Sequence, residues 1–588
     1  MNDELRKAGE LWGASAKIIE KVLVLFPIAI VCVILIDVYG GLGTLLKYSH
    51  SSIHRLCSGA LLNRMLHLPF WQVYQDLQVY NGAVYTNWGY GVPLLQLPFH
   101  LVMQLIHGTQ FFKAFPDRLI FFSYLLVCTL ILFFALKKLF AKRCDSGAIL
   151  SSVLASSCVL CIITFCLVRL MSFRFLVYEE TICYFIVFEL LSIAFYIQFI
   201  FEEKKRWAAA AGISSALAIL IRPSSGQIYF LVFMLLFFLK SKKVRDVLSF
   251  VLPSLPFLLF WSLTNYLKSG FFFSLGYQNT SPGLWWELSG VRFGGACSRT
   301  VSAIVKEAWV IVTSLFWGKI SLLQELQQCR FVLETQLLPI PFMGPVAFVL
   351  LAALFIHAFT QQKRSEFLIP FFGMGAVVGG FVYGGLGFTY RYAGDIWPLV
   401  ILCCVQFAAL TKIATIKQIL LLVPLLILLG VPWEVNLGKK LISTVVLRDN
   451  DYPFFSAPGF FKQESKASGP PVASKVNCGS AQINQLMWDK YGWGERCQTW
   501  EITNLYLGLP DTKRSTFELT FKTSKKEADF YLVYINGNYY HATWDGEKYT
   551  AFFLINRKHL IRTRILVTIR WSKTPGPTQV RLLSVAVS

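Results

Sequence analysis

The sequence predicts a polytopic α-helical membrane protein with about eleven transmembrane helices, followed by a C-terminal β-sandwich domain. Three observations carry that reading. Of the 588 residues, 55% are hydrophobic and only 15% are charged, against roughly 25% charged in soluble domains. Mean hydropathy is +0.54, and apolar runs recur at the length of about 18 residues that crosses about 30 Å of hydrocarbon. After Pro432 the composition turns polar and short alternating runs replace the long apolar ones.

The predicted spans are Val22–Ile36, Leu119–Leu136, Ala148–Val168, Thr181–Phe201, Trp207–Ile221, Ile228–Leu239, Val247–Leu263, Leu338–Phe359, Phe367–Leu386, Ile396–Leu410 and Ile419–Val431. Arg6, Lys7, Lys17 and Lys21 precede the first, and no small-residue cleavage site follows it. It reads as an uncleaved signal anchor with a cytoplasmic N-terminus, residues 1–21. Alternate loops then hold Lys137, Lys138, Lys142 and Arg143; Lys204, Lys205 and Arg206; Lys240, Lys242, Lys243 and Arg245; Lys363 and Arg364; Lys412 and Lys417. All fall on the cytoplasmic side, as the bias of inner loops toward Lys and Arg requires. Val92–Ile106 and Ala303–Trp317 are also apolar, but promoting either one alone to a span would invert every later loop. They are expected to lie along the outer surface. The membrane domain then covers 22–434, with outer loops at 38–117 and 265–337.

The C-terminal domain, 435–588, alternates in polarity over Ser515–Thr523, Phe530–Asn536, Tyr549–Leu554, Ile561–Trp571 and Gln579–Ala586. Asn536-Gly537-Asn538 supplies a turn between strands. Short strands at this spacing suggest a β-sandwich, and the odd number of spans puts it outside.

The net charge of +22 does not imply nucleic-acid binding. The basic residues sit in short loops between spans, where they set orientation and attract anionic lipid headgroups. No Walker A loop, HExxH or GxSxG sequence is present, so ATP-driven pumping and metalloprotease chemistry lack their machinery. The fourteen cysteines show no metal-ligand spacing, and many lie inside apolar runs as small fillers. Cys478 and Cys497 differ: they lie in the domain expected outside, where a disulfide can persist.

Candidate chemistry gathers in the outer loops. The first contains Asp76-Leu-Gln-Val-Tyr80-Asn81-Gly82-Ala-Val-Tyr85-Thr-Asn-Trp88-Gly89-Tyr-Gly91-Val-Pro93. Its glycines impose turns and its aromatics offer a stacking surface. Asp76 can serve there as a general base, or be an ordinary solvated loop residue. Asp37, at the outer mouth of the first helix, is the other candidate base, with the same bland alternative. Arg169 and Arg174 can grip a lipid phosphate while Glu179 or Glu180 orients them, or the group forms a membrane-edge salt-bridge cluster. Arg222-Pro223-Ser224 ends a small-residue helix, where the Arg reads as structural or phosphate-binding. Arg391-Tyr392-Ala393-Gly394-Asp395 places a cation and a carboxylate between two apolar runs, as a phosphate-side site or a structural ion pair. Asn279-Thr280-Ser281 is a formal glycosylation acceptor of a kind that arises by chance.

At these residues the chain resembles the GT-C superfamily of membrane glycosyltransferases, and within it bacterial relatives of protein O-mannosyltransferases and of the lipid A aminoarabinose transferase. The matching pieces run in family order: Asp76 to Gly82 with Trp88 to Pro93, Arg174 to Glu180, Ile221 to Ser224, Asn265 to Gly270 with Gly276-Tyr277, and Arg391 to Pro398. The resemblance covers Val22 to Val431. It departs from the family after the first helix, where Asp37 is followed by Val38 and the usual Asp-Glu pair is absent. That leaves the choice of base open between Asp37 and Asp76.

The resemblance implies a bacterial cytoplasmic-membrane enzyme that moves a sugar from a polyprenyl-phosphate donor to a glycan, lipid or protein acceptor on the outer face. Arg391, Arg174 and Arg222 would hold the donor phosphate. Tyr80, Asn81, Tyr85, Trp88, Glu179, Glu180, Tyr392 and Asp395 would line the substrate cavity. No cofactor is implied with certainty, a divalent cation being the one candidate and no metal ligand being assigned. Some members carry a C-terminal carbohydrate-binding sandwich, which would suit the tail; Trp493, Trp500 and Tyr506 there read as core packing or as a surface that stacks on sugars. Two rival readings remain, a transporter or flippase of lipid-linked sugars and a noncatalytic glycan-binding assembly protein. The transporter reading would need charges at mid-membrane, where Glu189 stands.

Overall fold

In the computed structural model, residues 22–30, 32–33, 53–62, 64–66, 77–80, 83–86, 88–107, 115–143, 147–163, 166–167, 177–273, 364–384 and 394–410 are described, with nine strands between 498 and 587. The expected spans over 338–359 and 419–431, the surface helix over 303–317 and the pair Cys478 and Cys497 lie outside these residues. The chain divides into two compact units. The first comprises Met1–Ser58, Gly89–Trp261 and Cys297–Ser456; the second comprises Gly59–Trp88, Ser262–Ala296 and Ala457–Ser588.

Residues 22–30 are helical, and the Ser156 hydroxyl donates to the Leu23 carbonyl at 2.5 Å. Next come α1 (Ile53–Leu62) and a hairpin of β1 (Leu77–Tyr80) and β2 (Ala83–Thr86). These strands pair from Leu77↔Thr86 to Tyr80↔Ala83. Asn81-Gly82 is thus the two-residue connection, the dipeptide that best tolerates the positive φ of a tight hairpin. Helix α2 (Gly91–His107) carries no Asp, Glu, Lys or Arg and contains Pro98. It is 17 residues long, below the length of the spans described next.

The helices that follow are α3 (Asp117–Arg143), α4 (Ala148–Ile163), α5 (Val177–Glu202), α6 (Lys205–Ile221) and α7 (Pro223–Ser241). Then come α8 (Val244–Val251), α9 (Leu255–Ser269), α10 (Arg364–Gly384) and α11 (Trp397–Leu410). Among the described residues, four helical segments are long and apolar enough to cross a membrane: Asp117–Arg143, Glu179–Glu202, Pro223–Ser241 and Val244–Lys268.

Three expected boundaries change, each for a local reason. Helix α5 starts at Val177, not Thr181, and takes Glu179 and Glu180 out of the expected loop into its first turn. Acidic side chains are favourable there, beside the unsatisfied N–H groups of the helix start. The span expected over Val247–Leu263 is interrupted by a 3₁₀ turn, Leu252–Ser254. Pro253 and Pro256 lack the N–H groups that an unbroken α-helix needs there. Helix α7 starts at Pro223, not Ile228; Pro223 takes its first position, where a missing N–H costs nothing, and α6 ends at Ile221 as expected.

Helix α5 is the centre of the first unit. Most of its apolar window is buried, whereas Val244–Lys268 leaves most of its own exposed. Edge-to-face pairs hold it to its neighbours, with Phe121 of α3 against Tyr184 and Tyr229 of α7 against Phe185. Helix α7 is apolar all round yet two-sided in burial. Phe230, Phe233 and Phe237 are inside, while Leu231, Leu235 and Phe238 are about half-exposed. An apolar stripe turned outward is what a helix facing lipid presents.

Helices α3 and α5 run parallel. Asp117 at the start of α3 lies within electrostatic reach of Glu180 at the start of α5. At their other ends Lys138 pairs with Glu202. Glu202 also takes Lys204 at 3.0 Å and the Trp207 indole N–H at 2.8 Å. Lys138 and Lys204, two of the basic residues that the sequence assigns to inner loops, therefore stand at one end of this helix pair, and the acid-rich helix starts at the other.

The C-terminal strands form two antiparallel sheets, all within the second unit. One has the order β4 (Thr503–Gly508), β10 (Arg564–Trp571), β6 (Tyr531–Ile535), β7 (Asn538–His541). The other has the order β3 (Gln498–Trp500), β11 (Gln579–Val587), β5 (Arg514–Thr523), β9 (Tyr549–Asn556), β8 (Thr543–Trp544). All five expected strands occur within a few residues of their predicted bounds. Ile535 pairs with Asn538, so Asn536-Gly537 joins β6 to β7. Between β8 and β9, Gly546 sits at φ +100°. The Asp545 carboxylate there accepts from the Glu547 and Lys548 N–H groups at 2.9 and 2.8 Å. Those two bonds hold its pKa below the usual carboxylate value.

Candidate active site

The charged centre of the first unit is the junction of α6 and α7. A single residue, Arg222, separates the two helices, and its N–H still donates to the Ala218 carbonyl at 2.8 Å. Its side chain is 5% exposed and its Nε lies 2.5 Å from Oδ1 of Asp395, whose side chain is fully buried. Asp395 stands just before α11. Burial raises its pKa, while the charge of Arg222 and hydrogen bonds from Arg222 and Ser225 oppose that rise. The same turn is pinned through its backbone. The Tyr229 hydroxyl donates to the Asp395 carbonyl at 2.6 Å and accepts from the Leu399 N–H at 3.2 Å.

Sequence reasoning paired Asp395 with Arg391. The structure gives Asp395 a cation that sequence reasoning did not assign to it, Arg222, from a helix junction more than 150 positions away; Arg391 lies outside the described residues. Short-range reading favours the nearest charge in sequence, whereas here two helix ends meet and bring a distant one to the carboxylate.

The first-loop glycines reach the same place. Gly89 and Gly91 lie against the last turn of α6, so close that a Cβ on Gly89 would stand 1.6 Å from the Leu220 carbonyl oxygen. A Cβ on Gly91 would stand 2.4 Å from Ile221 Cγ1. Only backbone without a side chain fits such an approach. The Gly89-Tyr90-Gly91 segment and the end of α6 before Arg222, read separately in the sequence, are thus neighbours. Tyr90 is buried and meets Phe260 edge-to-face at 6.2 Å.

A second polar cluster lies at the starts of α3 and α5. Arg55 of α1 pairs with Asp117 at 3.4 Å. Gln96 of α2 donates to Glu180 at 2.7 Å, and His54 bonds to the Thr181 hydroxyl at 2.9 Å. Glu179 and Glu180 are both fully buried. His100 of α2 is buried too, and burial together with the charge of Arg55 pushes its pKa down to about 4, so it is neutral near pH 7. The sequence analysis named Glu179 and Glu180 but missed His54, Arg55, Gln96, His100 and Asp117. Gln96, His100 and Gln104 recur every four residues along a mostly apolar helix, which was the available signal.

In the second unit, Tyr85 and Thr86 of β2 are buried, and Trp88 is half-buried. The buried Lys268 of α9 donates to the Trp88 carbonyl at 2.8 Å. Lys268 was quoted within the family-like segment but given no role. Tyr80 lies on β1, paired with Ala83. Asp37, Asp76, Asn81, Arg174, Arg391 and Tyr392 lie outside the described residues. Among the described residues, no group of three or more His, Cys, Asp or Glu side chains is arranged to hold a metal ion.

No protein-family model matches the chain, and no curated protein sequence matches it. Two solved structures show distant likeness. The apo crystal structure of the Archaeoglobus fulgidus oligosaccharyltransferase aligns with a TM-score of 0.38 at 12% identity, covering 71% of this chain and 56% of that one. The cryo-EM structure of arabinosyltransferase EmbB from Mycobacterium smegmatis aligns with a TM-score of 0.27 at 12% identity, covering 97% of this chain and 64% of that one. The chain spans less than two thirds of the length of either. At these scores neither alignment carries an argument, and the functional reading rests on the residues.

Proposed function

We propose that the protein is an integral membrane glycosyltransferase of the GT-C type, moving a sugar from a polyprenyl-phosphate donor to a glycan, lipid or protein acceptor outside the cytoplasmic membrane. The observation that carries this reading is the buried Arg222–Asp395 pair, with the first-loop glycines packed against the same helix end. A guanidinium fixed at the mouth of a helical bundle suits a lipid phosphate, which it can hold through two parallel N–H donors. Arg174 and Arg391 would add to the phosphate side.

In the reaction, the acceptor hydroxyl or amine gives its proton to the carboxylate of Asp76 or Asp37. Its freed electron pair attacks the anomeric carbon, and the bond from that carbon to the phosphate oxygen breaks with inversion. The polyprenyl phosphate leaves with the bonding electrons, and the arginines stabilise the charge it gains. The aromatics of the first loop and the carboxylates of Glu179 and Glu180 would hold sugar hydroxyls. The two C-terminal sheets would form an extracytoplasmic sandwich that presents or recruits the acceptor.

The test is transfer by the purified protein from a labelled polyprenyl-phosphate sugar, with Asp76 and Asp37 replaced singly by Asn. One replacement should lower turnover by about 10²–10⁴-fold, the usual contribution of a general base, with melting temperature unchanged. Full turnover in both variants would reject the proposed base. Reporters fused after Tyr80 and at the C-terminus should both read as extracytoplasmic. A cytosolic signal from either would remove the outer-face site.

A further inference from the structure

Glu189 lies near the middle of α5, 0% exposed, and neither carboxylate oxygen has a hydrogen-bond partner among the described residues. It stands nine residues, about 13.5 Å along the axis, from Glu180, and 13 residues, about 20 Å, from Glu202. An acid at that depth is costly as a bare charge, and such residues occur in proton relays. The glycosyl-transfer scheme makes no use of it.

The groups around Glu189 form a line. Toward the α6–α7 junction, Tyr229 lies within electrostatic reach of both Glu189 and Asp395, and its hydroxyl bonds to the Asp395 carbonyl. In the other direction, Glu189, Ser192 and Tyr196 stand at i, i+3 and i+7, one stripe of the helix. All three are fully buried. Ser192 bonds to the Phe188 carbonyl and, at 3.4 Å, to the Ala211 carbonyl of α6. The Tyr196 hydroxyl accepts from Gln406 of α11 at 2.8 Å. Tyr196 is also within electrostatic reach of Glu366, which is buried in the first turn of α10. Cys166 is also within electrostatic reach of Tyr229, and the Cys128 thiol donates to the Val187 carbonyl of α5 at 3.5 Å.

We propose that Glu189 is the middle station of a proton path through the helical bundle, running from Asp395 past Tyr229 to Glu189 and on by Ser192, Tyr196 and Gln406 to Glu366. A proton arriving at Asp395 passes to the Glu189 carboxylate, and Glu189 releases one toward Glu366. Nothing is oxidised or reduced, and the driving force is the proton gradient itself.

The full chain, reconstituted in liposomes with a pH-sensitive dye inside and a potassium diffusion potential across the membrane, reads the flux. Wild-type vesicles should acidify faster than protein-free vesicles, Glu189→Gln should fall to the protein-free level, and Glu189→Asp should keep part of the flux. Wild-type flux no greater than protein-free vesicles, or undiminished flux in Glu189→Gln, overturns the path. Should Glu189→Gln fail to fold, Tyr196→Phe and Gln406→Leu replace it, and unchanged flux in both overturns the path equally. Sugar transfer by the same preparations is read separately, so loss of the path and loss of the glycosyltransferase reading are distinguishable.

Discussion

Replacing Arg222 by Ala should destabilise the protein by about 3–5 kcal/mol, because it strands a buried carboxylate without its cation. Asp395 is fully buried and Arg222 nearly so, so water cannot replace the lost partner. The double replacement Arg222→Ala with Asp395→Ala should be milder than Arg222→Ala alone, since it removes the orphaned charge along with the pair. The comparison of single and double variants by melting in detergent isolates that coupling. Arg222→Lys keeps the charge but not the forked donors, and should recover part of the stability. In the transfer assay, Arg222→Ala should also lose about 10²–10³-fold in turnover, the cost of removing one fixed group that stabilises developing charge. A variant that melts and turns over like the wild type would show that the pair matters for neither stability nor chemistry.

Gly89→Ala is expected to be nearly as damaging, although it adds only one methyl group. The new Cβ would meet the Leu220 carbonyl oxygen at 1.6 Å and its carbon at 2.6 Å. Both are backbone atoms, which cannot rotate away as a side chain would. The strand of chain carrying Tyr90 must therefore lift from α6, or the end of α6 must move and take Arg222 with it. Overpacking of this kind costs typically about 1–3 kcal/mol, and a clash with backbone belongs at the upper end. Gly375→Ala is the matching control, since nothing lies within 4 Å of a Cβ there. Thermal melting should separate the two variants, and sugar transfer should fall in the first while persisting in the second. Equal melting temperatures would mean that the close packing of the first-loop glycines on α6 does not hold the site.

Much of the helical layout was legible because membrane spans are written as composition. Long apolar runs with basic ends mark helices whatever their neighbours are, so α3, α5 and α7 could be located from the sequence to within a few residues at most ends. The β-strands were legible for a similar reason: alternation reports a one-sided surface, and Asn-Gly marks its turn. The candidate site was legible only in pieces. Arg222, Asp395, Glu179, Glu180 and the Trp88-Gly-Tyr-Gly segment each stood out as polar or turn-forming residues in apolar surroundings. Their partners did not. Arg55 and Asp117 look like ordinary helix-end residues, and Gln96 like an isolated polar residue in an apolar helix, until helices far apart in sequence meet.

The amino-acid sequence alone determined that the chain crosses a membrane, where its basic loops fall and where its polar C-terminal region begins, because those properties depend on local composition and on water's preference for charge. Only the tertiary structure decided that Asp395 belongs to Arg222, that Gln96 reaches Glu180, and that Glu189 comes within electrostatic reach of Tyr229. Such pairings depend on which helix faces touch, and an apolar helix, being compatible with lipid or protein on every side, carries little record of its partner.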